Sequence, residues 1–294
     1  MTDLKDYLKD VTAKIDKALD SYLPAEDASP ETIHKAMRYS IFAGGKRLRP
    51  VLCLAAAEAL GADHSVALPA AAAVEAMHTY SLIHDDLPAM DNDDLRRGRP
   101  TNHKVFGDAI AILAGDALLN EAFLMISHTA PTSRYSEIDF VRELATAGNS
   151  INLIGGQVMD IEAEGKTISR ESLARIHDTK TAALLTTSIR LGAMAANATP
   201  IQLSYLSRFG RSTGHAFQVI DDILDVTADT QTLGKTAGKD IVAEKSTYPS
   251  LLGLEGAKAE AKRLTKESLQ ALDDLDGDTT RLRQIALYLL DREY

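Results

Sequence analysis

The sequence predicts a single all-α domain over residues 1–294. Alanine- and leucine-rich segments carry apolar residues at helical spacing nearly throughout the chain. The period-two alternation of a half-buried strand is scarce, and aromatic residues make up only 5% of the sequence, which leaves little material for a sheet. No Ser/Gly/Pro-rich linker and no internal repeat divides the chain, so one helical domain is the economical interpretation.

Capping residues mark helix starts at three places. Ser29 before Pro30 and Thr199 before Pro200 each put an N-cap residue ahead of a proline at the first helical position. Ser136 opens the segment SEID, which resembles a capping box. We expect about ten helices, joined by loops near residues 21–29, 88–106, 130–135, 163–168 and 227–248.

Composition excludes several classes of protein. The net charge of −10 argues against general nucleic-acid binding, although a local cationic cluster can still attract an anionic substrate. Charges such as Glu58, Glu75 and Arg190 interrupt the apolar segments, which argues against a membrane span. The N-terminal MTDLKDYLKD does not resemble a signal peptide, and the single cysteine, Cys53, excludes an internal disulfide. A cytoplasmic protein is expected.

A first aspartate cluster lies in LIHDDLPAMDNDDLRRGRP, which holds Asp85, Asp86, Asp91, Asp93 and Asp94. Like charges this close raise one another's pKa, which indicates that a cation belongs among them. Pro88 should interrupt the helix, so we expect Asp91 to return to the site from a turn. An EF-hand is excluded, because DNDDLRRGRPTN has no glycine at loop position 6 and no glutamate at position 12.

A second cluster lies in FQVIDDILDV, where Asp221, Asp222 and Asp225 share an arc of roughly 100° on an otherwise apolar helix. Gln218 extends this stripe by one turn. A solvated helix face would explain one such cluster, but two clusters on apolar helices favour a bound cation. Oxygen ligands without thiolates favour Mg²⁺, which completes its coordination with water and phosphate oxygens.

Basic residues accompany both clusters. Lys46 and Arg49 stand at i and i+3 at a predicted helix start behind two glycines, an arrangement that suits an anion, although ordinary surface charge also explains this segment alone. Lys180 and Thr181 lie in the polar opening of an apolar helix. A Gly/Thr-rich loop after the second cluster could close as a lid and carries Lys235, Lys239 and Lys245.

The chain resembles bacterial-type short-chain trans-polyprenyl diphosphate synthases, above all farnesyl diphosphate synthases. The shared segments are GGKRLRP, LIHDDLPAMDNDDLRRGRPTNHKVFG, LAGDALL, GGQVMDIEAEG, KTAALL, FQVIDDILDVTAD, LGK and KSTYPSLLGLE. They cover residues from about 30 to 290, and both aspartate motifs in order with the basic motifs are highly specific. The resemblance implies an all-α bundle around a deep central cavity, a homodimer, three Mg²⁺ ions per active site and prenyl diphosphates as substrates.

The same resemblance assigns roles to individual residues. Two metal-binding walls would consist of Asp85, Asp86 and Asp91, and of Asp221, Asp222 and Asp225. The allylic diphosphate would be held by Arg96, Lys180, Gln218, Lys235 and Lys245, with Lys180, Thr181 and Gln218 as the catalytic group. Isopentenyl diphosphate would be held by Lys46, Arg49, His78 and Arg97, with Arg292 as a further candidate. A core histidine is an equally good interpretation of His78 alone.

The implied reaction condenses dimethylallyl or geranyl diphosphate with isopentenyl diphosphate, head to tail, and gives mainly farnesyl diphosphate. Tyr80 lies five residues before Asp85, roughly 7.5 Å along the helix axis, and is large enough to close the pocket floor, whereas the small Ser81 leaves room. In the resembling family an aromatic residue here accompanies fifteen-carbon products. Core packing would also explain Tyr80.

Three alternatives remain at this point. A geranylgeranyl diphosphate synthase would have the same site and a longer pocket. An HD-type metal-dependent phosphohydrolase would use an adjacent His–Asp pair, which occurs at His84–Asp85 and at His177–Asp178. A non-catalytic partner subunit should lack one aspartate cluster, and both are present.

Overall fold

The computed structural model describes residues 2–227 and 246–290 of the chain. Helices form nearly all regular structure in these ranges, so the all-α prediction is confirmed. The first seven helices are α1 (Thr2–Tyr22), α2 (Glu31–Ile41), α3 (Leu48–Ala59), α4 (Leu68–Asp85), α5 (Asn102–Phe106), α6 (Asp108–Ile126) and α7 (Glu137–Gly148). The next six are α8 (Leu153–Ala163), α9 (Arg170–His177), α10 (Ala183–Ala195), α11 (Pro200–Thr227), α12 (Tyr248–Gln270) and α13 (Thr280–Leu290). A short 3₁₀ helix spans His64–Val66.

Two of the three predicted helix starts are confirmed. Ser136 and Asp139 form a capping box at the start of α7. At α11, the Thr199 hydroxyl accepts the Gln202 N–H at 3.3 Å, and the Gln202 side chain accepts the Thr199 N–H at 2.9 Å. The third prediction was wrong by one residue, because Pro30 occupies the N-cap position of α2 without a side-chain cap.

The predicted loop at 88–106 is wrong in its second half. It contains a hairpin of β1 (Leu95–Arg96) and β2 (Arg99–Pro100), followed directly by α5. Arg97 (φ 54°) and Gly98 (φ 75°) both adopt left-handed conformations, the pattern of a tight two-residue hairpin turn. Arg96 is the last residue of β1 and Arg97 is the first residue of the turn. The hairpin therefore fixes the backbone at both arginines.

Helix α4 runs through the core. The residues from 70 to 77 are all buried, and the helix packs on α3, α6 and α10. Gly192 of α10 allows a close approach to the Cys53 carbonyl of α3, where a side chain would overlap the backbone. Helix α11 packs along α10 and α12. The two helices that carry aspartate clusters are therefore both held by neighbours on several sides.

Helix α6 departs from the expectation that no segment could cross a membrane. Within residues 2–227 and 246–290, it is the one helix long and apolar enough to do so, by length and composition alone. It packs one face on α4 through residues such as Ala111 and Leu118 and leaves Ile112, Leu113 and Leu124 exposed. Core packing thus accounts for the 39% of this segment that is buried.

Candidate active site

The first aspartate cluster begins at the C-terminus of α4. Asp85 is the last residue of this helix, and Asp86 occupies its C-cap. Pro88 stops the helix, and the chain folds back until the Asp91 N–H donates to the Asp85 carbonyl at 2.9 Å. The Asp93 N–H likewise donates to the Asp86 carbonyl at 3.2 Å. The turn therefore returns Asp91 to the end of the helix.

The carboxylates at this helix end are crowded and partly desolvated. Burial raises the pKa of Asp85 to about 6; Lys180 opposes the rise and Asp91 adds to it. The buried Asp86 carboxylate accepts from Arg96 Nε at 2.7 Å, yet burial still raises its pKa. A bound divalent cation would relieve this like-charge crowding.

The three aspartates of α11 have different surroundings. Asp222 Oδ2 accepts the backbone N–H of Tyr248 at 2.9 Å, which joins α11 to the first turn of α12. Asp225 is 5% exposed, and neither of its carboxylate oxygens has a hydrogen-bond partner in the described part of the chain. Asp221 is half-buried. A buried carboxylate without a partner is unfavourable unless a cation reaches it.

These residues fit a magnesium site that is completed by its substrate. No three His, Cys, Asp or Glu side chains in residues 2–227 and 246–290 converge closely enough to hold a metal by themselves. Mg²⁺ in proteins is commonly held by one or two carboxylates together with waters and substrate phosphates. The unpartnered Asp225 carboxylate and the crowded Asp85 are ligands of the required type.

Arg49, His78 and Arg97 form a basic cluster between α3 and α4. Arg49 Nη1 lies 3.3 Å from His78 Nε2. Burial, with a contribution from Arg97, lowers the pKa of Arg49 to about 10, although Glu75 and Asp221 oppose the shift. Burial, assisted by Arg49, holds the pKa of His78 well below its usual value, so its ring is neutral near pH 7. Partly desolvated arginines beside a neutral imidazole are groups that can bind an anion.

Lys46 lies just before α3 rather than on its first turn, because the helix begins at Leu48. The preceding chain turns at Gly44 (φ 86°) and Gly45 (φ 120°). The Arg97 side chain covers this turn: it donates to the Gly44 carbonyl, and a Cβ on Gly45 would lie 2.5 Å from its Cζ. Only a residue without a side chain permits this contact.

Lys180 lies in a π-helical turn, Asp178–Ala182, between α9 and α10. The prediction that it opens a helix is therefore wrong, since the helical path continues through it. Lys180 Nζ lies 2.7 Å from Asp160 Oδ2 on α8. The two elements meet so closely that a side chain on Gly156 would overlap the Lys180 backbone. Isolated π turns are frequent at functional sites.

Thr181 and Gln218 are both half-buried and lie on elements that pack together. Gly214 of α11 contacts the π turn, where a Cβ would lie 2.7 Å from the Ala182 Cα. Gln218 stands one turn after this contact. The packing thus brings the amide-bearing face of α11 to the segment that carries Lys180.

Tyr80 and Ser81 lie one turn before the first aspartates. Tyr80 is 5% exposed, and its ring meets the His84 ring edge-on with centroids 5.8 Å apart. Burial raises the pKa of the Tyr80 hydroxyl to about 12. The Ser81 hydroxyl donates to the His78 carbonyl at 2.9 Å, so it is satisfied within the helix.

Sequence reasoning missed Arg47 and Asp160. Arg47 is buried between two residues predicted to bind a diphosphate, and nothing in GGKRLRP distinguishes it from its neighbours. Asp160 stands four residues after Gly156 and therefore lies on the same helical face, and Gly156 contacts the Lys180 backbone. This spacing is the one sequence signal that could have linked Asp160 to Lys180. The predicted residues Lys235, Lys239, Lys245 and Arg292 lie outside the described residues.

Neither His–Asp pair forms a metal dyad. His84 Nε2 lies 3.0 Å from the Ile112 carbonyl on α6, away from Asp85. Asp178 accepts from Arg211 Nη2 at 2.9 Å and lies 3.1 Å from His215 Nε2, so its carboxylate is occupied by α11. The geometry gives the phosphohydrolase alternative no support.

The polyprenyl synthetase family description matches residues 30–285. The chain belongs to this family. It is 50% identical over 275 residues to the geranylgeranyl pyrophosphate synthase of Capsicum annuum, a match that covers 93% of this chain and 74% of that protein.

Solved structures of similar fold confirm the isoprenoid synthase architecture of this polyprenyl synthetase. An FPP/GFPP synthase from Zymomonas mobilis gives a TM-score of 0.87 at 36% identity and covers 98% of this chain and 99% of that one. A geranyltransferase from Helicobacter pylori, complexed with magnesium and isoprenyl diphosphate, gives a TM-score of 0.82 at 34% identity, with 97% and 96% covered. The chain is a short-chain prenyltransferase, and magnesium is consistent with its family.

Proposed function

We propose that this polyprenyl synthetase joins an allylic diphosphate to isopentenyl diphosphate, head to tail, at a site between α4 and α11. The buried Asp225 carboxylate without a hydrogen-bond partner, together with the crowded Asp85 on the other helix, supports a diphosphate held through cations. Bound Mg²⁺ supplies neutralisation of the leaving diphosphate. Arg96 and Lys180 would add positive charge from the protein around the same leaving diphosphate.

The protein residues divide the remaining work between two substrates. Lys180 would bind the allylic diphosphate, while the dipoles of Thr181 and Gln218 would steady the allylic cation without attacking it. Lys46 and the basic cluster of Arg49, His78 and Arg97 would bind isopentenyl diphosphate. The allylic C–O bond breaks first, which releases diphosphate and leaves the allylic cation. The isopentenyl double bond then attacks this cation to form the new C–C bond, and the departing diphosphate takes the proton that is lost. His78 is a poor base because burial, assisted by Arg49, holds its pKa low.

Product analysis tests this proposal. The wild-type enzyme should convert isopentenyl diphosphate and geranyl diphosphate into longer prenyl diphosphates only when Mg²⁺ is present. Asp85→Ala and Asp221→Ala should each lower turnover by a factor on the order of 1,000 while circular dichroism shows an intact fold. Near-wild-type turnover in either variant would contradict the assignment of both walls.

We propose geranylgeranyl diphosphate as the main product, because the Capsicum annuum relative named for that product is 50% identical. A farnesyl product is the second candidate, since the bulky Tyr80 stands one turn before the aspartates. Chromatography of the dephosphorylated products separates the two, because their alcohols differ by one five-carbon unit.

We also propose a cytoplasmic homodimer. Helix α6 leaves Ile112, Leu113 and Leu124 exposed, and Val105 of the neighbouring α5 is exposed as well. An apolar surface of this kind is typical of a protein–protein contact. A second copy of the chain would cover it. Light scattering of the purified enzyme should give about twice the mass of one chain, and Leu113→Glu should shift it towards the monomer.

A further inference from the structure

Arg47 is the most deeply placed cation near the proposed substrate site. It is 3% exposed and donates to three acceptors on different elements. Its Nε contacts Asp16 Oδ1 on α1 at 2.9 Å, its Nη1 contacts Glu75 Oε1 on α4 at 2.7 Å, and its Nη2 contacts the Ile41 carbonyl at the end of α2 at 2.6 Å. One guanidinium therefore joins three helices behind the site.

The same residue sets the path of the backbone between α2 and α3. Arg47 has a left-handed conformation (φ 47°, ψ 36°) at the N-cap of α3, which is unfavourable for a residue with a side chain. Its contacts therefore hold a conformation that the chain would not adopt alone. Lys46 directly precedes Arg47, and Arg49 of the basic cluster follows it by two positions. We refer to residues 42–47 as the 42–47 loop.

The loop is held from both sides. Arg97 covers its outer side, against Gly44 and Gly45. Arg47 anchors its inner side to Glu75, which is 1% exposed and stands one turn before His78 on α4. Two arginines thus hold the loop, Arg97 through the Gly44 carbonyl on its outer side and Arg47 through the buried Glu75 on its inner side.

We propose that Arg47 is a positioning residue, held by Glu75 and Asp16, that fixes the 42–47 loop so that Lys46 and Arg49 bind the diphosphate of isopentenyl diphosphate. This inference rests on the proposed function. Arg47 does not contact the substrate itself, because its donors are directed to Asp16, Glu75 and the Ile41 carbonyl. The allylic diphosphate, bound near Lys180, should be insensitive to it.

Steady-state kinetics with each substrate varied in turn tests the inference. Arg47→Lys keeps the charge but cannot reach three acceptors, so the KM for isopentenyl diphosphate should rise about tenfold. The KM for geranyl diphosphate should stay within about twofold, and kcat within about threefold. Calorimetric titration with isopentenyl diphosphate alone should show the same loss of affinity.

A double variant, Arg47→Met with Glu75→Met, separates positioning from stability. It removes both buried charges together, so the melting temperature should remain close to that of the wild type. The KM for isopentenyl diphosphate should still be raised at least tenfold. Glu58→Gln is the matched control, since Glu58 of α3 accepts from Tyr7 of α1 and lies 2.9 Å from His64 of the 3₁₀ helix, but contacts none of the clustered arginines.

The outcomes are distinct. A wild-type KM for isopentenyl diphosphate in folded Arg47→Lys and in the double variant would overturn the inference and leave the proposed reaction intact. An equal loss for both substrates would also overturn it, because it would indicate a general structural role. A wild-type enzyme that forms no prenyl product would overturn the proposed function and the inference together.

Discussion

Lys180 Nζ lies 2.7 Å from Asp160 Oδ2, so a carboxylate on α8 orients the lysine proposed to bind the allylic diphosphate. The lysine stands in the π turn Asp178–Ala182, which packs against α8. The contact also lowers the cost of burying Lys180 beside Asp85 before substrate arrives. A lysine already in place for the leaving group is worth more to catalysis than one that must be ordered during the reaction.

Asp160→Asn should therefore impair turnover more than binding. We expect kcat to fall about tenfold, because Lys180 loses its charged partner, while the KM for isopentenyl diphosphate stays unchanged. The control is Glu162→Gln, an exposed carboxylate on the same helix. Equal kinetics for the two variants would show that Asp160 has no role in orienting Lys180.

Gly45→Ala should disturb the second substrate. A Cβ at this position would lie 2.5 Å from Arg97 Cζ, and the backbone has φ 120°, so both the arginine and the loop must move. The KM for isopentenyl diphosphate should rise about tenfold or more, with little change for geranyl diphosphate. Gly61→Ala is a suitable control, since it also has a positive φ (79°) but no neighbour within 4 Å of its Cβ. A similar KM in both variants would contradict the contact with Arg97.

Asp225→Asn should stabilise the metal-free protein and reduce the further stabilisation that the ligand provides. The buried carboxylate has no hydrogen-bond partner in the described part of the chain, so neutralising it should raise the melting temperature of the metal-free protein by about 2 °C. With Mg²⁺ and inorganic diphosphate added, the wild type should gain more than the variant, because a cation then reaches Asp225. Differential scanning fluorimetry measures both shifts. An equal ligand-induced gain would remove Asp225 from the metal site.

Asp178 gives a pH-dependent contribution to stability. Hydrogen bonds from His215 and Arg211 hold its pKa near 2, below the 3.8 of an unfolded aspartate, although burial opposes them. Its contribution is therefore present above pH 4 and is lost as the pH falls through 2. Asp178→Asn should cost about 2 kcal/mol at pH 7 and about half of that at pH 3.

Urea unfolding at the two pH values measures this difference. The control is Asp274→Asn, because Asp274 is exposed and its substitution should cost little at either pH. A loss for Asp178→Asn that is the same at pH 3 and pH 7 would show that the ionised carboxylate is not the stabilising species.

Some features followed from sequence patterns and others did not. The helical spacing, the capping box at Ser136 and the turn after Pro88 depend on neighbouring residues, so local rules predict them. The buried contacts of Arg47 join residues 31 and 28 positions apart, and no local pattern encodes them. The hairpin at Arg97 also escaped prediction, because an arginine at positive φ is uncommon and tertiary contacts hold it there. Long-range contacts of this kind complete the substrate site.

Product length provides the last prediction. Tyr80 stands on the helix that ends at Asp85, and its ring is 5% exposed against His84. If the prenyl chain extends from the diphosphate back along α4, the ring limits its length; Tyr80→Ala should then shift the products to chains at least one five-carbon unit longer than those of the wild type. The cavity should cost about 3 kcal/mol of stability, so Tyr80→Phe, which keeps the ring, is the matched control and should keep the wild-type product.

Radiolabelled isopentenyl diphosphate and chromatography of the dephosphorylated alcohols measure chain length directly. A fifteen-carbon wild-type product would favour the farnesyl candidate, and a twenty-carbon product would show that Tyr80 leaves room for one more unit. An unchanged product from folded, active Tyr80→Ala would mean that the ring serves core packing and that other residues set the length.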